Sequence, residues 1–463
     1  MTWFPISANL FILQSYDSAK KAERCPSGLR STLGKRVCGG CRTVGSNPTL
    51  SATGNYGRNG DNMDSKYLID VENIYGTSNY HPIDVVIHKG RGIWVWDMEG
   101  NKYLDFLSAY SSVNMGHCHP RIVRALIDQA KKLTITSRAF RNEQWPLFAK
   151  EICDLTGHEM VMALNSGAEA VETAIKAVRK WGYQQKGIPD DRAEIIVCSN
   201  NFHGRTITIV GFTSEELYKK DFGPFAPGFI AVPYGDLEAL RESITPNTAA
   251  FLVEPIQAEG GIIVPPAGYL KAAKSICEEN NVLFVADEIQ TGLGRTGKLF
   301  GCDHEEVKPD VLIIGKSLGG GCYAISSVLS SRKILAVFTP GTHGSTFGAN
   351  PLACAVARES IRVLQEENIV ENSEEQGNYL LKKLKTLKSK YIKEVRGKGL
   401  LIGIELKREA GGARRFCEAL AEEGLLCKET HENVIRFAPP LIIKQKDLNW
   451  AFKRVKKVFK EID

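Results

Sequence analysis

The sequence predicts an α/β fold: a mostly parallel central sheet flanked by helices, with a smaller C-terminal α+β domain after it. Three observations predict this. The chain has 463 residues, 43% hydrophobic and 24% charged, which is globular composition on the scale of a large two-part enzyme. Short β-rich apolar runs bounded by turn residues occur at 194–198, 250–254, 282–286 and 311–314. Runs that are apolar on both faces suit buried strands of a parallel sheet. Between them, 168–181 carries Val171, Ala174, Ile175 and Val178 at helical spacing, with Gly167 ahead of it as a loop entering the helix.

Taken in order along the chain, residues 1–62 show neither helical nor strand periodicity. The apolar patch Leu10–Leu13 is too short, and its bases fall on the wrong side, for a secretory signal. Gly45-Ser46-Asn47-Pro48 is what GGT-TCG-AAT-CCN encodes, a string resembling the T-arm of a transfer-RNA gene. Gly60-Asp61 can be written GGA-GAY, ribosome-binding-like, just ahead of Met63. The expectation is a bacterial start at Met63 and a non-native, disordered leader at 1–62; a mitochondrial transit peptide is the alternative. Residues 63–110 are expected to form an N-terminal segment packing with the small domain, 111–350 the large cofactor-binding domain, and 351–463 the small domain. In the last of these, a long helical pattern over 351–365 is followed by strand candidates at 394–406 and 434–437.

Charge and cysteine content exclude several classes. Of 59 Lys and Arg and 53 Asp and Glu, eight and three lie in 1–62, leaving a nearly neutral body of 51 against 50. A neutral body exerts no long-range pull on phosphate backbones, so no nucleic-acid partner is expected. No run approaches the roughly 20 apolar residues of a membrane span. Twelve irregularly spaced Cys read as a reducing compartment, the cytoplasm, or the mitochondrial matrix if the leader is a transit peptide. Cys38 and Cys41 form the one C-x-x-C, without a nearby His, and no metal site is expected.

Two near-misses carry no chemistry. The run Gly292–Lys298 has the spacing of a phosphate loop, but Leu299 replaces the hydroxyl that would bind Mg²⁺. His117-Cys118-His119-Pro120 reads as a turn before a helix. Four other features matter together. A strand ends at Asp287, with Gln290 three residues on; alone, Asp287 reads equally as a satisfied structural acid. Lys316 follows another buried strand and precedes a glycine cluster, and a buried lysine of lowered pKa can form a Schiff base. The small-residue loop Asn165-Ser166-Gly167-Ala168 enters a helix whose free N–H groups can hold a phosphate. Phe202 and Arg205 supply an aromatic plane and a guanidinium. A phosphate cradle, a stacking ring, an acid for a pyridinium and a lysine for an aldehyde are the requirements of pyridoxal phosphate.

From about Gly76 onward the chain resembles the class-III, fold-type-I aminotransferases, and within them the ornithine δ-aminotransferase branch. The matching strings are NYHP from Asn79, LSAYSSVNMGHCHP from Leu107, NSGAEAVETA from Asn165, NFHGRT from Asn201 and VEPIQ from Val253. Further on come LFVADEIQTGLGRTGK from Leu283, GTHGSTFGANP from Gly341, VRGKGL from Val395 and CKETHENVIRFAPPLII from Cys427. The resemblance implies that Lys316 holds the cofactor covalently and then moves the proton. Asp287 would keep the ring nitrogen protonated, Phe202 would stack on the ring and Gln290 would reach its phenolic oxygen. Ser166, Gly167 and Ala168 would bind the phosphate, with Ser345 and Thr346 arriving from the partner of a homodimer.

The implied reaction moves the δ-amine of ornithine to 2-oxoglutarate. Presenting that amine requires the α-carboxylate to be held at the far end of the pocket, where Arg205 offers a bidentate partner beside Tyr80, with Tyr110 lining the channel. Arg436 would take the α-carboxylate of 2-oxoglutarate, and Glu259 would mask it while ornithine is bound; the alternative reading of Arg436 is a surface or domain-interface ion pair. The chain departs from the family at Ala258 and Ala349, where glycine is usual, in the order Glu259-Gly260-Gly261, and at Ser317. If those glycines serve a positive φ, a Cβ adds strain. Competing readings are a sister ω-aminotransferase acting on acetylornithine, 4-aminobutyrate or lysine, and a non-catalytic binding protein on the same fold.

Overall fold

The computed structural model describes residues 64–462. The expectations for residues 1–62, for Met63 as the start and for the Cys38–Cys41 pair lie outside the described residues.

An N-terminal helix, Ser65–Tyr75, is capped by Asp64, whose carboxylate accepts from the Tyr67 N–H at 2.8 Å. Three short strands follow: β1 (Ile87–Arg91), β2 (Trp94–Asp97) and β3 (Lys102–Asp105). The central sheet is built from β4 (Met160–Leu164), β5 (Glu194–Cys198), β6 (Phe229–Val232), β7 (Thr248–Val253), β8 (Leu283–Asp287), β9 (Val311–Ile314) and β10 (Ser326–Ser330). C-terminal to it lie β11 (Ile392–Lys398), β12 (Leu401–Leu406), β13 (Leu425–Leu426), β14 (Lys428–Thr430) and β15 (Val434–Phe437).

The seven central strands run in the order β4-β10-β9-β8-β7-β5-β6. Neighbours from β9 to β6 are parallel, and β10 is inserted antiparallel to both β9 and β4. Successive residues of one strand serve opposite faces. Ile195 and Val197 pack with the helix Gly167–Trp181, while Ile196 and Cys198 pack with the helix Tyr269–Glu279 on the other side. Burial on both faces is why these segments read as unbroken apolar runs.

Strand β10 did not announce itself in that way. It is fully buried but reads SSVLS, because two of its three hydroxyls find backbone acceptors: Ser326 donates to the Ser166 carbonyl at 2.6 Å and Ser330 to the Asp310 carbonyl at 2.5 Å. The expected strand region 394–406 is a hairpin, β11 and β12, turning at Gly399 (φ +52°). A Cβ there would sit 2.3 Å from the Thr296 carbonyl carbon, so only glycine fits.

The C-terminal sheet has the order β11-β12-β15-β14, and β13 instead pairs in parallel with β3, completing a sheet β1-β2-β3-β13. Trp94 meets Trp450 edge-on at 5.5 Å and Phe106 meets Phe437 at 5.4 Å, so N-terminal and C-terminal segments share one apolar core. The HCHP segment is a turn. His117 Nε2 lies 2.7 Å from Asp105, His119 Nε2 lies 3.2 Å from Glu367, and the helix starts at Pro120. Among the described residues no helix is long and apolar enough to cross a membrane.

Candidate active site

The functional side chains gather where parallel strands end, the edge at which open α/β sheets bind ligands. Asp287 closes β8, and Lys316 follows β9 by two residues. Glu254 follows β7, the loop after β5 carries Phe202, His203 and Arg205, and the loop after β4 leads into the helix at Gly167.

That helix begins with a capping box: the Ser166 hydroxyl accepts from the Glu169 N–H, and Glu169 accepts from the Ser166 N–H. The first-turn N–H groups of Gly167 and Ala168 donate to no acceptor among the described residues and face an inner cavity of about 130 Å3. A Cβ on Gly167 would come within 3.0 Å of Ile289. Phe202, His203, Glu254, Asp287, Gln290 and Lys316 line the same cavity.

Asp287 is held from two sides. Its Oδ2 lies 2.7 Å from His203 Nδ1, and its Oδ1 accepts from the Ile289 N–H at 3.1 Å. Burial works against a charged His203, yet the hydrogen bond and charge of Asp287 raise its pKa overall. Glu254 accepts from the Phe202 N–H at 2.9 Å, and burial, aided by Asp287 and opposed by His203, pushes its carboxyl up to about 7. Sequence reasoning gave no role to His203 or Glu254, although both sit inside quoted strings.

Lys316 lines both the inner cavity and an outer one of about 610 Å3. Its backbone is left-handed at φ +46°, a conformation that costs a non-glycine residue about 1–2 kcal/mol and here marks a constrained position. Burial, helped by Arg436 and opposed by Glu259, brings the amine down to about 8. About a tenth is therefore neutral and nucleophilic at pH 7, far more than for an ordinary lysine.

The outer cavity is lined by Tyr80, Tyr110, Phe202, Arg205, Tyr218 and Glu259, among others. Tyr110 belongs to a left-handed turn, Ser108–Ser111, with φ between 45° and 71°. Asp105 fixes that turn by accepting from the Leu107 and Ser108 N–H groups, both at 2.8 Å. Arg205 makes no ion pair among the described residues; its guanidinium lies over the Tyr218 ring, 3.4 Å from the centroid.

Arg436, on β15, is the opposite case. It is buried, donates to Glu259 at 2.8 Å, to Gln290 Oε1 at 3.1 Å and to the Ala258 carbonyl at 3.2 Å, and lies over Tyr110 at 5.2 Å. Burial alone would raise the Glu259 carboxyl, but Arg436, with Lys316 and Gln290, brings it down to about 2. Gln290 also donates to Glu259 at 3.3 Å, so it joins the ion pair to the inner cavity.

Ser345 is bound within its own chain: its hydroxyl lies 3.0 Å from Asn165 Nδ2, at the outer edge of the cradle. Thr346 and Phe347 beside it stand exposed. The two alanine departures differ. Ala349 has φ +60°, so its Cβ is strained, whereas Ala258 is not left-handed; the positive φ values nearby belong to Gly261 and Ile262. Among the described residues no group of three or more His, Cys, Asp or Glu could hold a metal.

The family description aminotransferase class-III matches residues 75–459. The ornithine aminotransferase of Halalkalibacterium halodurans is 59% identical over 393 residues, which cover 85% of this chain and 98% of that one. Among solved structures, an ornithine aminotransferase from Toxoplasma gondii, described with partial occupancy of pyridoxal phosphate at its active site, superposes with a TM-score of 0.85. It is 45% identical, covering 86% of this chain and 94% of that one. An acetylornithine aminotransferase from Elizabethkingia anophelis gives 0.78 at 47% identity, covering 86% and 100%. With a lysine, an acid and an anion cradle around one cavity, and with a family match spanning nearly all of the described residues, the chain belongs to the class-III aminotransferases, which use pyridoxal phosphate.

Proposed function

We propose that the protein transfers the δ-amino group of L-ornithine to 2-oxoglutarate, giving glutamate 5-semialdehyde and glutamate, and that it works as a cytoplasmic homodimer. The observation that carries the reading is a contrast between two arginines: Arg205 lines the outer cavity with no acid paired to it among the described residues, and Arg436 lies behind Glu259, which lines that cavity and pairs with it.

Bound pyridoxal phosphate supplies an aldehyde that takes up amines and a ring that accepts the electron pair of a broken C–H bond. The chain's residues do the rest. Ser166, Gly167 and Ala168 would hold the phosphate at a helix N-terminus, and Phe202 would stack on the ring. Asp287, 2.7 Å from His203, would keep a charge at the ring nitrogen, and Gln290, on the same cavity, would meet the phenolic oxygen. Lys316, more readily deprotonated than an ordinary lysine because of burial, carries the proton between carbon atoms. Ser345 and Thr346 complete the partner subunit's phosphate site from the exposed loop that bears them.

Ornithine places its α-carboxylate against Arg205, with Tyr80 and Tyr110 along the channel, so that the δ-amine reaches Lys316. While Glu259 neutralises Arg436, the inner end offers no cation to a substrate carboxylate. When 2-oxoglutarate enters, Glu259 yields and Arg436 takes its α-carboxylate. One pocket thereby serves two charge layouts.

An amine-donor panel with 2-oxoglutarate as acceptor tests this. Ornithine is expected to exceed N-acetylornithine, 4-aminobutyrate and lysine by kcat/KM. A preference for N-acetylornithine, the substrate named for the Elizabethkingia protein, would overturn the reading.

A further inference from the structure

Arg205 is unusual in what surrounds it. No acid pairs with it among the described residues, and its neighbours are rings: Tyr218 at 3.4 Å from the guanidinium carbon and Phe202 at 5.3 Å. The two rings stand at 84° to one another with centroids 6.3 Å apart, so they form a corner that holds the guanidinium. Tyr218 comes from a different element, the short helix Glu216–Lys219, and lines the same outer cavity. A guanidinium covered on its face by a ring keeps its edge, with the N–H donors, available. A carboxylate is bound by that edge, through two parallel N–H···O bonds, and the geometry fails if the plane turns.

We infer that Tyr218 is a positioning residue that fixes the plane of Arg205, and so sets the preference for amine donors carrying a carboxylate at the end remote from the reacting amine. The inference rests on the proposed role of Arg205 and goes beyond it, since it assigns selectivity to a residue that need not touch the substrate. An exposed arginine has many rotamers, and the ring removes most of them before substrate arrives, which lowers the ordering cost of binding.

The test compares ornithine with 1,4-diaminobutane, which keeps the reacting amine and lacks the carboxylate, using the cofactor-loaded full chain. Tyr218→Leu is expected to raise the KM for ornithine about 5- to 20-fold with little change in kcat, and to leave 1,4-diaminobutane unaffected, so the preference between the two collapses. Tyr218→Phe keeps the ring and is expected to retain the preference. Equal losses with both donors would show a merely structural role and overturn the inference, as would an unchanged preference in Tyr218→Leu. Arg205→Gln separates the two levels. If it too leaves the preference intact, the reading of Arg205 fails; if it abolishes the preference while Tyr218→Leu does not, only the inference about Tyr218 fails.

Discussion

Arg205 lines the outer cavity and Arg436 sits behind its wall residue Glu259, and the surroundings of the two arginines could hardly differ more. Arg205 is exposed, stacked on a ring and free of acids among the described residues, whereas the Arg436 side chain is 1% exposed and paired with a Glu259 side chain that is 23% exposed. The first can bind a carboxylate by offering its edge. The second must first lose a partner, and breaking a buried pair leaves an uncompensated charge that costs several kcal/mol unless a substrate carboxylate replaces it. A permanently open cation and a conditionally open one give a single cavity two states of charge. The lesson is that an arginine's identity says little about its use; what packs against its face and its fork decides it.

The largest effect removes the group on which both ends converge. Lys316→Ala is expected to lower turnover by at least about 10²–10⁴-fold with every donor. The purified variant should also lack the borohydride-bleachable yellow colour of the loaded wild type. Retained colour would remove the basis for comparing the two ends at all.

Next comes the inner end. Glu259→Gln leaves Arg436 uncovered, and the kcat/KM for ornithine is expected to fall about 10- to 100-fold, with a smaller loss for 2-oxoglutarate. The pair also has a pH signature. Glu259 is held at about 2 against an ordinary 4.5, a depressed carboxylate. Its contribution to stability is therefore full above about pH 5 and is lost as the pH falls through 4.5 towards 2. The stability gap between wild type and Glu259→Gln should narrow over that range in denaturant unfolding. A gap that stays constant would mean that the pair does not form in solution.

The two ends also differ in how legible they were. The parallel strands could be read because both faces are buried, and Asp287 and Lys316 because each sits where such a strand stops. The Glu259–Arg436 pair is 177 residues apart in the chain, and no spacing rule links them; only the family resemblance did. Tyr218 lies thirteen residues beyond Arg205 on a separate helix, so no periodic pattern ties the ring to the guanidinium. His203 lies in the loop after β5 and Glu254 just after β7, and their importance comes from contacts with residues distant in the chain. Strand β10 was missed because its buried serines look like a loop. The concern over added Cβ atoms applied to Ala349 but not to Ala258, because the backbone turns at Gly261 and Ile262 instead.

At the outer end, Tyr80→Phe removes one hydroxyl from a residue that is 75% exposed. Its bond to a substrate carboxylate competes with water, so the KM for ornithine is expected to rise about 3- to 10-fold with kcat nearly unchanged. An unchanged KM would leave Arg205 alone in charge of that end.

The smallest effect is a control that lies at neither end. Ala349 sits at φ +60° just before the helix Pro351–Glu366, where a Cβ meets steric resistance worth about 1–2 kcal/mol. Glycine would relieve that strain but add freedom to the unfolded chain, which returns roughly 0.4–1 kcal/mol. Ala349 also sits in the apolar core, where losing its methyl costs about 0.8 kcal/mol, so Ala349→Gly is expected to change stability by less than about 1 kcal/mol in either direction, a shift of a few degrees at most in thermal unfolding. Because Ala349 contacts neither arginine, the variant should leave donor preference untouched. A change in preference on that substitution would mean that the loop bearing Ser345 and Thr346 couples to the substrate pocket, and the two ends could no longer be treated as independent.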